Sequence, residues 1–252
     1  MAAAPPCQTT PKLGTTRPAE RWFITWMALA MIVTSLTAFL PSIVHSAGRH
    51  APLSPLAAAH GIVFFAWLLM FLVQGRLIAT HHVTLHRRLG LASVFILALM
   101  IPLAYTTTIA MVRRGFDLSG DLRIDRDPPY ETVFALSNLL IFAVLAIAAL
   151  ACRRKPEIHK RLMLFANIEL MPAPLAHLIG HAPWLASRPA AIVMIPISVF
   201  VMAAIARDLL AVRRIHPLTW GLAALRILSG PLEAGPIGSS AAWHRFVYWL
   251  AR

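Results

Sequence analysis

Charge is scarce in this chain of 252 residues: 13% of them are Asp, Glu, Lys or Arg, about half the share usual in a soluble domain. Acids are the scarcer sign, ten Asp and Glu against 23 Lys and Arg. So few ions cannot keep the surface of a chain this long in water. Cysteine is nearly absent as well. Cys7 and Cys152 have no CxxC partner spacing, which excludes a disulfide framework and a zinc–thiolate centre. The expected topology also puts both thiols on the cytoplasmic side, where they stay reduced. The chain has no Gly-rich phosphate loop, no GxSxG elbow, no HExxH and no carboxylate pair of glycosidase type. Those absences set aside the nucleotide-hydrolysing, serine-hydrolase, zinc-peptidase and glycosidase classes.

What the chain has in abundance is apolar length. It is 58% hydrophobic, with a mean hydropathy of +0.69, and runs of about 18 or more apolar residues recur along it, the signature of membrane-spanning helices. The net charge of +13 sits in short loops between those runs. That is the positive-inside pattern rather than a nucleic-acid footprint, so the partner it implies is the lipid bilayer and not nucleic acid.

Six strong spans are expected at about 22–44, 56–79, 88–112, 131–152, 159–181 and 189–212, with a weaker seventh at 217–236. Ser54-Pro55, Asp127-Pro128-Pro129, Lys155-Pro156-Glu157 and Ser187-Arg188-Pro189 read as helix starts, where the missing proline N–H would be unpaired in any case. Lys12, Arg17 and Arg21 precede span one; Arg76, Arg87 and Arg88 surround the next alternate turn. Arg153, Arg154, Lys155, Lys160 and Arg161 surround the one after, and Arg213 and Arg214 follow span six. This arrangement predicts a cytoplasmic N-terminus. Residues 1–21 read as a disordered cytoplasmic tail and 22–236 as the all-α transmembrane bundle. Residues 237–252, with Trp243, Phe246 and Trp249, read as an amphipathic interfacial segment.

One phrase is written twice. Leu85-His86-Arg87-Arg88-Leu89-Gly90-Leu91 opens one apolar run and Ile158-His159-Lys160-Arg161-Leu162-Met163-Leu164 opens another. Each copy follows an apolar run, so spans two–three and four–five form two hairpins of the same sense, a parallel repeat of units at about 56–112 and 131–181. Chance likeness of two basic helix starts is the alternative.

Ten of the chain's eleven histidines fall into two belts. The outer belt holds His45, His50, His60, His177 and His181; the inner holds His81, His82, His86, His159 and His216. His177 and His181 are four residues apart, on one helix face unless Pro172 and Pro174 disturb it. His60 with His177 or His181 forms a candidate pair of haem ligands, or the rings only meet headgroups and loop carbonyls. His86, His159 and His216 either cap helices and anchor loops, or converge on an inner site for haem, a metal or a quinone headgroup. In that second case Asp208 or Glu157 would orient an imidazole.

Glu169, well inside span five, is an intramembrane carboxylate. It is either one half of an ion pair or a proton relay. Arg76, Arg207 and Asn167 lie at plausible depths for a partner, and Asn138, Gln74 and Thr106-Thr107-Thr108 add hydrogen-bonding groups. Arg226 and Glu233 interrupt the seventh span two turns apart, on a face they could share.

The two phrases, with Pro156-Glu157, Asp208 and Ile215-His216-Pro217, resemble a group of uncharacterised bacterial multi-pass integral membrane proteins. In that group a histidine lies early in one span, His-Arg-Arg-Leu-Gly opens the next, and Pro-Glu-x-His-Lys-Arg-Leu-Met opens a later one. The likeness covers most of 56–250 and implies fold, topology and a bacterial inner membrane rather than activity. A looser likeness is to b-type membrane cytochromes, though no helix pair here carries two mid-helix histidines at haem-stacking spacing. The leading expectation is therefore electron transfer linked to haem b or quinone, alone or with a membrane protein partner. The rivals are a small ion-coupled transporter using Glu169 and a non-catalytic assembly subunit.

Overall fold

The computed structural model describes residues 18–44, 53–114, 128–180 and 191–252, and every regular element among them is helical. Residues 1–17 of the expected tail, the loop 115–127, His45, His50 and His181 lie outside the described residues, whereas Pro18–Arg21, expected in that tail, already belong to the first helix. Long helices α1 (Pro18–Val44), α2 (Pro55–Ala79), α3 (Val83–Arg114) and α4 (Pro128–Ala151) are followed by α5 (Pro156–Ile168) and α6 (Pro172–Gly180). Then come α7 (Ala191–Val212), α8 (Pro217–Leu232) with a π-turn at Glu233–Ile237, and α9 (Ala241–Leu250).

Six of the helical stretches are long and apolar enough to cross a membrane, and the bundle is a polytopic one. Its packing is inverted relative to a water-soluble protein. Leu91, Leu210 and Ile62 are 77%, 75% and 71% exposed, whereas Arg226, Glu169 and Asn167 are among the most deeply buried side chains. An apolar exterior of this extent needs lipid as its solvent. Inside, Met31, Met100, Phe142, Phe165, Ile168 and Val201 fill a core shared by α1, α3, α4, α5 and α7.

The two hairpins form as the doubled phrase requires: α2 packs on α3, α4 on α5, and α3 joins the two units. The phrases lie inside the first turns of α3 and α5, so both helices begin several residues earlier than the apolar runs alone suggest. Ser54 caps α2, its Oγ accepting the Ala57 N–H at 3.1 Å, with Pro55 next in the first turn. The α2–α3 turn is closed by His81 at φ 64°, where Arg21 at the start of α1 reaches its ring. The start of α1 therefore lies at the phrase-bearing end. At Gly75 the Cβ of any larger residue would stand 3.1 Å from Ile24 Cγ2 and 3.3 Å from the Thr25 nitrogen, so glycine sets how closely α2 approaches α1.

Span five is not one helix. After Ile168 the chain tightens, Leu170 N–H bonding the Asn167 carbonyl at 3.1 Å and Met171 N–H the Ile168 carbonyl at 3.0 Å. Pro172, which has no N–H to continue the ladder, then starts α6. The break falls at Glu169, 13 residues from Pro156, or about 20 Å along the axis. The weaker seventh segment is helical too. Helix α8 with its π-turn runs from Pro217 to Ile237, roughly 30 Å by rise per residue, and its two charges are buried among the other helices. Helix α9 caps the end away from the phrases: Trp243 Nε1 donates to the Pro129 carbonyl at 2.7 Å, and Arg113 Nε to the Ala251 carbonyl at 2.8 Å.

Candidate functional site

At the phrase-bearing end, one histidine from each copy meets the other. His86 and His159 each occupy the fourth position of their helix, α3 from Val83 and α5 from Pro156. Their ring centres are 6.4 Å apart and the planes cross at 78°. His159 Nδ1 lies 2.8 Å from the Ala149 carbonyl at the end of α4. A carbonyl only accepts, so Nδ1 carries a proton, and in the neutral ring the lone pair is on Nε2. That is the tautomer in which a metal-binding imidazole is held by a second partner. The His86 ring meets the backbone of Gln74, and its Nδ1 is buried with no hydrogen-bond partner among the described residues.

His216 plays a different part. It caps α8, its Nδ1 accepting the Leu218 N–H at 3.1 Å ahead of Pro217. The expectation that Asp208 or Glu157 orients an imidazole is corrected by the same region. Asp208 Oδ1 takes Arg161 Nη2 at 2.7 Å and Arg207 Nη1 at 3.1 Å. Its Oδ2 accepts Thr219 Oγ1 at 2.6 Å and the backbone N–H, not the ring, of His216 at 3.2 Å. Glu157 is bound by Arg161 Nη1 and Lys160 Nζ, each at 2.6 Å. Arg161 thus ties the start of α5 to the end of α7 and the start of α8. The reason is charge matching: a buried Asp208 is tolerable only beside a cation, and Arg161 projects one.

Deeper in the bundle, Glu169 finds its partner. Arg226 Nη1 donates to Glu169 Oε2 at 2.6 Å and to Asn138 Oδ1 at 2.8 Å. This corrects the sequence expectation, because none of the three groups at plausible depth serves. Arg76 is exposed, Arg207 is on Asp208, and Asn167 accepts Trp67 Nε1 at 3.0 Å while donating to the Met163 carbonyl at 2.8 Å. The cation comes from the seventh segment, whose helix lies against α5. Arg226 Nε and both carboxylate oxygens of Glu233 are buried without hydrogen-bond partners among the described residues.

The outer histidines are engaged by phenylalanines. His60 stacks on Phe64, one turn along its own helix, at 4.1 Å. His177, buried on α6, lies against Phe39 of α1 at 4.6 Å. Among the described residues no group of three or more His, Cys, Asp and Glu side chains is placed to hold a metal ion. A site built from two imidazoles falls outside that description, and the His86–His159 pair suits one. Two imidazoles on opposite sides of one ion, each with a bond of about 2.0–2.1 Å, place their ring centres about 6 Å apart.

In comparisons with known proteins, no family model matches this chain, and no curated protein or solved structure does.

Proposed function

We propose that the protein is an electron-transfer component of a bacterial inner membrane, with its phrase-bearing end cytoplasmic, that holds one b-type haem between His86 and His159. The observation that carries the reading is the meeting of the two phrase histidines at 6.4 Å, one of them already fixed by a carbonyl in the ligating tautomer. Bound there, the haem would supply one-electron chemistry. The chain supplies its own part through residues already in place. His159 is oriented from the end of α4 and His86 by the Gln74 backbone of α2, so both hairpins share the site. Arg161, Asp208 and Thr219 fix the start of α5 against α7 and α8, holding His159 at a set distance. Electrons would be exchanged with a quinone in the bilayer or with a membrane protein partner beside it.

The test is haem quantification on purified, detergent-solubilised protein from haem-replete cells. One b-type haem per chain with a Soret band is the expected result. A preparation with no Soret band, unchanged on haem supplementation, overturns the reading.

A further inference from the structure

Three ionisable side chains are buried together in the outer half of the bundle. Glu169, Arg226 and Glu233 are 2%, 2% and 3% exposed. Arg226 is committed to Glu169 and Asn138 through its Nη1. Glu233 is on the same helical stretch two turns later and near enough to Glu169 for their charges to interact, yet neither of its oxygens has a hydrogen-bond partner among the described residues. With all three groups ionised the cluster carries one uncompensated negative charge, in an interior where such a charge is strongly unfavourable. One positive charge restores the balance.

We propose that Glu233 is the acidic ligand of a buried site for one monovalent cation, a proton on the carboxyl or a sodium ion beside it. The local backbone is built for this. Glu233 opens the π-turn, whose Gly238 N–H bonds the Glu233 carbonyl at 2.9 Å. A Cβ at Gly238 would stand 2.6 Å from that carbonyl oxygen, so the turn requires glycine. Pro236 within the turn has no N–H to donate, which leaves a carbonyl of the preceding turn without that partner. π-turns within helices are frequent at functional positions. The turn packs on α4 and α8. The charged or titratable groups on the elements around it are Tyr130 and the exposed Glu131 at the start of α4, and Arg226 and Glu169 further in. Because Arg226 neutralises Glu169, the cation belongs to Glu233. The site is separate from the histidine pair and does not depend on haem.

The experiment uses the full chain in lipid nanodiscs, read by infrared spectroscopy of the carboxylic-acid carbonyl stretch in sodium-free buffer at neutral pH and by binding of radioactive sodium. The wild type is expected to show either one acid carbonyl band or one sodium ion per chain. Loss of the band on sodium addition identifies sodium as the exchanging ion, and a band indifferent to sodium identifies the proton alone. Glu233→Gln is expected to abolish the signal, Glu233→Asp to shift it, and Glu131→Gln to leave it unchanged. Neither signal in the wild type, or a signal that survives Glu233→Gln, overturns the proposal. If Glu233→Gln does not fold, the wild-type measurement and the Glu233→Asp shift decide it, and an unshifted band in Glu233→Asp counts against it.

Discussion

Arg226 and Glu169 close their ion pair deep inside the bundle, so removing one member strands the other. Arg226→Met is expected to lower stability by about 3–5 kcal/mol, whereas the double change Arg226→Met with Glu169→Met recovers most of that loss, because no unpaired ion is left behind. Thermal unfolding in detergent, compared across the two single variants and the double, checks this; an additive double variant would contradict it. Trp67 makes a similar but neutral pairing with Asn167. Trp67→Phe keeps the ring against Phe142 but leaves the amide oxygen unmatched, with an expected loss of about 1–3 kcal/mol in the same assay. The identity of the costly residue was legible in the sequence, since a carboxylate eight residues into an apolar run announces itself. Its partner was not. Arg226 lies in a segment whose charges and Gly230-Pro231 interruption read as too costly to span, and its depth beside Glu169 is set by the packing of α8 on α5.

At the level of the helices, apolar runs and proline punctuation located six spans, because lipid demands long stretches with every backbone group paired internally. The break at Glu169 was only half legible. Pro172 and Pro174 signalled a disturbance before His177, but where the ladder stops depends on how Leu170 and Met171 re-pair their N–H groups. Helix α8 is the opposite case, a segment whose charges read as too costly to bury until Arg226 is seen paired with Glu169 inside the bundle. Close helix approach makes its own prediction. Gly75→Val drives a side chain into Ile24 and the Thr25 backbone and is expected to destabilise α1–α2 packing by about 1–3 kcal/mol. At Gly61, with nothing within 4 Å of a new Cβ, Gly61→Ala is expected to stay within about 0.5 kcal/mol of the wild type. The two variants are compared by thermal unfolding in one detergent, and equal effects would remove the packing argument.

For the whole molecule, the repeat brings equivalent residues of two hairpins to one end, while the cation cluster lies toward the other. The proposed topology places Arg87 inside and Ser239 outside. In a background with Cys7 and Cys152 replaced by serine, Ser239→Cys is expected to react with a membrane-impermeant maleimide on intact spheroplasts, and Arg87→Cys only after permeabilisation. The reverse pattern would invert the molecule. The histidine pair at the phrase-bearing end offers the most direct measurement. Absorption spectra of the purified wild type and four single variants weigh it against the outer belt. The expected result is a Soret band that is lost in His86→Ala and His159→Ala and retained in His60→Ala and His177→Ala. A band that survives loss of either phrase histidine, or that disappears with the outer ones instead, would contradict it.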